Sequence, residues 1–176
     1  NHLIKKNKIK VVASAKAYTF LKGFFDVEEI DYFKIIYRDN KAAHFLTLLN
    51  NIMRFPVILA KGWKIQRIIR DFKPEIIITD FEPLAYYFAL FNRIPVISID
   101  NQHIITNARH KGIPKRHWFD YLITKIIIKI FIVKSDKYFI NAFFDCEIKG
   151  KNSVLIKPLL REEVVNAKAS NKSHIL

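Results

Sequence analysis

Residues 76–103, with the sequence IIITDFEPLAYYFALFNRIPVISIDNQH, contain two short apolar runs separated by a segment of helical periodicity. The first run ends at Asp80 and the second at Asp100. Uninterrupted rows of Ile and Val are typical of strands that are buried on both faces of a parallel sheet. The stretch therefore predicts a strand, a helix from about 83 to 92 and a second strand, arranged as a β-α-β unit.

The same alternation continues along the chain and predicts the α/β class, with a Rossmann-like parallel sheet and helices on both faces. The predicted strands are 8–14, 27–30, 33–37, 75–79, 95–99, 137–141 and 153–157. The predicted helices are 15–25, 41–72, 83–92 and 118–134. We expect the long helix to bend or split at Pro56, because the proline ring removes a backbone donor and disfavours helical geometry at the preceding residue.

Composition limits the classes of protein that the chain can represent. Its 176 residues are 51% hydrophobic and 14% aromatic, which supplies one buried core and excludes a disordered or fibrous protein. The formal charge is +14, but the cations are scattered and no nucleic-acid-binding motif accompanies them. We therefore expect no nucleic-acid partner.

Several kinds of site are excluded by the residues that are missing. The chain has four glycines, which form neither a Walker phosphate loop nor a GxGxxG turn. Its single cysteine, Cys146, and its histidines match no standard zinc spacing, so we expect no metal site. The most apolar stretch, 118–133, contains three charged residues and is shorter than a membrane-spanning helix. We expect a cytoplasmic protein, with peripheral contact to the inner face of the membrane as an option.

Asp80 and Asp100 are candidate functional residues because each terminates a predicted parallel strand. In an open parallel sheet, ligands bind in the crevice outside the carboxyl ends of the strands. The alternative, of equal weight, is that both carboxylates only cap the helix or turn that follows. For His103, a proton-transfer role and a purely structural role both remain open, the structural one being the commoner.

The motifs DFEP at 80–83 and DNQH at 100–103 resemble those of the N-terminal half of GT-B glycosyltransferases of the family 28 type. These enzymes are relatives of the lipid-linked N-acetylglucosamine transferase of cell-wall synthesis, and the similarity is to a little-studied prokaryotic branch. VVAS at 11–14, YRDN at 37–40 and PLLR at 158–161 extend the resemblance over nearly the whole chain.

The resemblance implies a domain organisation. Residues 1–160 are expected to form the acceptor-side domain of a GT-B enzyme without its first strand and Gly-rich loop. Residues 161–176 are expected to form a linker into a C-terminal domain, absent from this sequence, that binds a nucleotide sugar. The chain itself is expected to hold no cofactor. The implied reaction is inverting transfer of a sugar to a hydroxyl acceptor, with this chain inactive alone.

The resemblance also implies residue roles. The expected catalytic residues are Asp100, His103 and Asp80. The residues expected to contact the sugar or lipid-linked acceptor are Glu82, Asn101, Gln102 and Arg109. Two rival functions stay open: a nucleotide-sugar 2-epimerase-like enzyme, and a basic module in which residues 109–117 and the following helix dock on an anionic membrane.

Overall fold

The computed structural model describes residues 6–30, 36–38, 41–42, 44–110, 112–158, 160 and 166. The chain divides into two compact units, Asn1–Val96 and Ile97–Leu176. Both contain parallel strands and helices, which confirms the predicted α/β class. The predicted linker 161–176 lies outside the described residues except for Asn166.

The first unit opens with a β-α-β arrangement. Strands β1 (Val11–Ala13) and β2 (Val27–Glu29) are joined through helix α1 (Ala15–Leu21) and pair in parallel. They form a two-stranded sheet of their own, rather than joining the later strands as expected from the single predicted sheet. Two short strands, β3 (Tyr37–Arg38) and β4 (Lys41–Ala42), then pair antiparallel.

Helix α2 (His44–Phe72) is one continuous helix with Pro56 inside it, so the helix does not split there, and the alternative of a bend at Pro56 stays a prediction. A proline in a helix interior costs about 3 kcal/mol. The helix offsets this cost because Ile58, Ile65 and Ile69 are buried in the core of the unit, and each buried side chain of this size contributes about 1.5–3 kcal/mol. Tertiary burial therefore outweighs the local preference of proline.

Strand β5 (Ile77–Thr79) and helix α3 (Pro83–Phe91) confirm the predicted strand and helix. The backbone N–H of Ile77 donates to the carbonyl of Pro95 at 2.9 Å. The expectation that this strand is buried on both faces is wrong, since Ile76 and Ile78 are 46% and 52% exposed. Only the side of β5 that carries Ile77 packs against the core of this unit.

In the described residues of the second unit, three strands follow the order β6 (Val96–Asp100, which begins at the last residue of the first unit), β7 (Lys137–Asn141) and β8 (Ser153–Ile156). All three are parallel. Helix α5 (Trp118–Phe131) confirms the predicted helix. The polar segment after β6 contains a short helix, α4 (Ile104–Asn107), and a single 3-10 turn, Lys115–His117. Among the described residues, no helix is long and apolar enough to cross a membrane.

Candidate functional site

A buried polar cluster lies at the carboxyl end of β6 in the second unit. Asp100, the last residue of the strand, is 5% exposed and His103 is 2% exposed. The Nδ1 atom of His103 lies 2.7 Å from Oδ2 and 2.9 Å from Oδ1 of Asp100. The backbone N–H of His103 donates to Oδ1 at 2.9 Å, and the hydroxyl of Ser98 donates to Oδ2 at 2.5 Å. Donors of the same unit therefore occupy both carboxylate oxygens of Asp100.

These hydrogen bonds keep Asp100 ionised. Burial alone would raise the pKa of the carboxyl, but the hydrogen bonds from His103 and Ser98 favour the carboxylate more strongly and lower the pKa overall. An ionised carboxylate is only an acceptor, so Nδ1 of His103 carries a proton in this pair. The carboxylate thereby fixes the orientation of the imidazole ring and of the turn that carries it.

The segment 101–107 is attached to the neighbouring strands at two points. The ring of His103 packs against the ring of Tyr138 on β7, with centroids 4.6 Å apart and planes at 53°. At the other end, the Nδ2 atom of Asn107 donates to the hydroxyl of Ser153 on β8 at 3.0 Å. Because these contacts hold the segment at His103 and at Asn107, the side chains that it directs outward have defined positions.

The other polar residues predicted in this unit are closer to the surface. Asn101 is exposed and Gln102 is half-buried, and the Gln102 side-chain oxygen accepts from the Asn101 N–H at 3.2 Å. Arg109 forms an exposed ion pair with Glu147, with Nε and Oε1 3.1 Å apart. Asn101 and Gln102 are thus on the segment that Asp100 and His103 hold, whereas Arg109 pairs with an acidic neighbour.

In the first unit, the turn after β5 places a carboxyl group at the start of α3. The backbone N–H of Glu82 donates to the hydroxyl of Thr79 at 2.9 Å, and the N–H of Leu84 donates to Oε1 of Glu82 at 3.2 Å. Glu82 is thus the N-cap of α3, with Pro83 at the first helical position. Burial raises the pKa of Glu82 to about 7, and the hydrogen bond from Leu84 offsets it only in part.

Asp80 and Phe81 form the tip of this turn. Asp80 is exposed. Phe81 has a φ of 53°, in the left-handed region that costs a residue with a side chain about 1 kcal/mol. The N-cap of α3 is Glu82, two residues after Asp80.

The raised pKa of Glu82 predicts a pH dependence of stability. Between its ordinary value of 4.5 and about 7, the folded chain binds more protons at Glu82 than the unfolded chain does, so the free energy of unfolding falls as the pH rises. We expect the thermal midpoint to drop by about 5 °C from about pH 5 to about pH 8. The Asp100 carboxyl acts in the opposite sense, but only below its ordinary value of 3.8.

Thermal melts of the wild-type chain and of Glu82→Gln at constant ionic strength measure this effect. The glutamine keeps an acceptor for Leu84 and removes the titration, so its midpoint is expected to vary less over the same range. Equal pH dependence in the two proteins would contradict the prediction.

Asn141, at the carboxyl end of β7, was not predicted from the sequence as a site residue. It follows Ile140, which is the register partner of Asp100. Its Oδ1 atom is buried and has no hydrogen-bond partner within the part of the chain that the structure describes. The signal that could have identified it is its position at the end of a parallel strand, the same criterion that selects Asp80 and Asp100.

The parallel strands and connecting helices make this a Rossmann-like α/β protein. Carboxyl groups lie at the ends of β5 and β6, where such folds bind their ligands. The chain belongs to the family described as "Glycosyl transferase family 1", whose model matches residues 1–176. This assignment supports a glycosyltransferase-type function of the GT-B class. No curated protein and no solved structure matches the chain. Within the described residues, no group of three or more His, Cys, Asp or Glu side chains is placed to hold a metal ion.

Proposed function

We propose that this chain provides the acceptor side of an inverting glycosyl transfer from a nucleotide sugar to a hydroxyl group. The family assignment supports sugar transfer. The family 28 type resemblance of DFEP at 80–83 and DNQH at 100–103 supports the finer reading, in which a second domain binds the donor. In such a transfer the acceptor oxygen bonds to the anomeric carbon, the bond from that carbon to the diphosphate breaks, and the acceptor proton passes to a base.

The position of Glu82 and its raised pKa are the main support for this proposal. It lies just beyond the end of β5, where open parallel sheets bind ligands. Its Oε1 atom accepts from Leu84, and no hydrogen bond to Oε2 is found among the described residues. With the pKa of Glu82 at about 7, the carboxyl takes up a proton near neutral pH, which is the property a general base needs. Glu82 is therefore our candidate for the group that receives the acceptor proton.

In the second unit, Asp100 and His103 have a positioning role in this proposal. Donors of the chain occupy both oxygens of Asp100, and His103 is buried. Together they hold the segment that presents Asn101 and Gln102, whose amides donate to and accept from sugar hydroxyls. Asp80, which is exposed, is a further candidate contact for acceptor hydroxyls.

The proposed function is tested by sugar transfer. The intact enzyme, in which this chain is joined to the proposed donor-binding domain, is incubated with a panel of labelled nucleotide sugars and with neutral and lipid-linked glycoside acceptors. The expected result is release of nucleotide diphosphate together with transfer of label to an acceptor and inversion at the anomeric carbon. Conversion of the nucleotide sugar into its 2-epimer without an acceptor would support the epimerase alternative instead.

A second candidate function is contact with an anionic membrane surface, which the solvent-facing side of α5 favours. Phe119, Ile126 and Ile130 are 66%, 49% and 58% exposed, and they share one side of the helix. The preceding turn contains Lys115 and Arg116, both exposed. An exposed apolar stripe beside basic residues is the pattern of a helix that lies in the headgroup region.

We expect Phe119→Ser to weaken binding to vesicles that contain about one third anionic phosphatidylglycerol by about tenfold, because a buried Phe contributes about 1.5–3 kcal/mol. Phe144→Ser, which changes a phenylalanine that is 64% exposed elsewhere in the same unit, is the matched control. Sedimentation with sucrose-loaded vesicles measures the partition. Equal binding of the two variants would exclude α5 as the membrane-contacting surface.

A further inference from the structure

One side of helix α2 carries an apolar row that the structure leaves exposed. The row runs along the helix at alternating steps of three and four residues, through Leu46, Leu49, Met53, Pro56, Ala60 and Trp63. Residues at these steps share one side of a helix. All of them are exposed, with Met53 at 74% and Trp63 at 61%. We call this row the α2 seam.

The α2 seam is separate from the core of its own unit. The core takes up other residues of the helix, Ile58, Ile65 and Ile69. Trp63 touches the ring of Phe88 on α3, with centroids 6.2 Å apart, and most of its surface still faces solvent. Contiguous apolar surface that a unit does not bury itself marks an interaction site. The α2 seam is therefore a surface for a partner.

The spacing of the seam indicates that the partner is another helix. Alternating steps of three and four apolar residues form the contact line of coiled coils, in which each side chain packs between residues of the facing helix. The next two positions in the same register are Arg67 and Arg70, both exposed, and they end the apolar row. The seam thus has a defined length, from Leu46 to Trp63.

A second copy of α2, running antiparallel, matches this seam residue by residue. One two-fold axis near the middle of the seam places three pairs opposite each other at once: Leu46 with Trp63, Leu49 with Ala60, and Met53 with Pro56. In each pair a larger side chain faces a smaller one, which lets the two rows interdigitate. A self-complementary row of this kind is what a two-fold interface requires.

The charges of α2 favour the antiparallel orientation over the parallel one. Arg54 is the only Lys, Arg, Asp or Glu between positions 44 and 57, whereas Arg67 and Arg70 follow the seam at its other end. A parallel pair would bring the arginines of two copies side by side, which is destabilising. An antiparallel pair sets them beside the nearly uncharged start of the other helix and opposes the two helix dipoles. Lys64, next to Trp63, already pairs with Glu28, with Nζ and Oε2 2.7 Å apart.

We propose that two copies of this chain associate through the α2 seam as an antiparallel, two-fold symmetric helix pair. The exposed parts of the seam amount to roughly 500 Å² per copy, so a pair buries about 1,000 Å², the lower end of the range for specific interfaces. Val57, which is 50% exposed beside Pro56, extends this surface near the axis. The inference stands independently of the proposed function, because it uses no residue of the candidate site.

Sedimentation equilibrium of the full-length protein tests the association. We expect the wild type to be a reversible dimer at about 10–100 μM. Met53→Asp should raise the dissociation constant of the dimer by about 10²-fold or more, because it removes a buried apolar side chain and places a charge in the interface from both copies. Phe91→Asp, which changes a residue of α3 that is 79% exposed, is the matched control and should leave the constant unchanged.

A pair of complementary variants tests the orientation. Leu49→Glu and Ala60→Lys should each weaken association, and an equimolar mixture should restore it, because the carboxylate of one chain then faces the ammonium group of the other. A parallel pair would bring position 49 against position 49 and show no such rescue, which would contradict the proposed arrangement. Circular dichroism checks that each variant is folded, and Leu49→Glu replaces Met53→Asp if the latter unfolds.

Three results would overturn the association itself. The first is a wild-type protein that stays monomeric at 100 μM, on the order of the weakest association expected of such an interface. The second is an unchanged dissociation constant in both Met53→Asp and Leu49→Glu. The third is a monomer that binds anionic phosphatidylglycerol vesicles and loses this binding in Met53→Asp, which would assign the α2 seam to a membrane surface instead.

Discussion

Glu82→Gln is expected to lower the turnover of sugar transfer by about 10²-fold or more, which is the scale of general-base contributions. The substitution keeps the size of the side chain and an oxygen that accepts from Leu84, so the start of α3 should stay intact. It removes the ability to take up the acceptor proton. The kcat of the intact enzyme that includes the proposed donor-binding domain, measured at saturation with the preferred donor and acceptor, gives the effect.

A pH profile distinguishes lost base catalysis from a structural defect. With the pKa of Glu82 at about 7, wild-type turnover should rise through neutral pH as the carboxyl ionises. The residual turnover of Glu82→Gln should not show this rise. Glu75→Gln, at an exposed glutamate shortly before β5, is the matched control and should behave as wild type. Unchanged kcat in Glu82→Gln would remove Glu82 from the reaction.

Asp100→Asn is expected to lower the free energy of unfolding by about 2–3 kcal/mol, because an NH2 group, which can only donate hydrogen bonds, replaces one carboxylate oxygen. Ser98, the backbone of His103 and its ring all donate to the present carboxylate. At least one of these buried donors must lose its acceptor, at a cost of about 1–3 kcal/mol, and the charge-assisted hydrogen bonds are lost as well. Urea unfolding of the two proteins measures the difference.

The turnover of Asp100→Asn in the intact enzyme decides whether Asp100 positions the segment 101–107 or acts as the base. A positioning residue acts through the segment 101–107, so folded Asp100→Asn should keep its turnover within about tenfold of wild type. Asp145→Asn, at an exposed aspartate of the same unit, should change neither quantity. A loss of turnover of about 10²-fold with unchanged unfolding free energy would identify Asp100 as the base and contradict the positioning role.

Much of the local structure follows from local signals. Strand β7 and helix α5 are found close to the predicted ranges because their apolar residues recur at the strand and helix periods. Helix α3 begins where Glu82 and Pro83 supply an N-cap and a first-turn proline. Local signals do not decide the outcome where a long-range contact competes with a local preference. At Pro56, burial of the isoleucines that follow it in α2 keeps the helix continuous.

For the candidate site too, the sequence identifies residues but does not assign their roles. The positions of Asp80 and Asp100 after apolar strands identify them as candidates, but the sequence left capping and chemistry equally weighted. The hydrogen bonds around Asp100 favour a positioning role, whereas the burial of Glu82 favours a role in proton transfer. Partner distances and burial depend on packing between residues far apart in the chain, which neither spacing nor composition reports.

The sequence by itself determined the α/β class, the locations of the principal strands and helices, and the two motifs that resemble glycosyltransferases. These features depend on periodicity and on residue identity over short ranges. Only the tertiary structure decided that β1 pairs with β2, that Glu28 is held by lysines, and that the pKa of Glu82 is raised to about 7. The physical reason is that pairing, ion-pair partners and desolvation are set by atoms that become neighbours only when the chain folds.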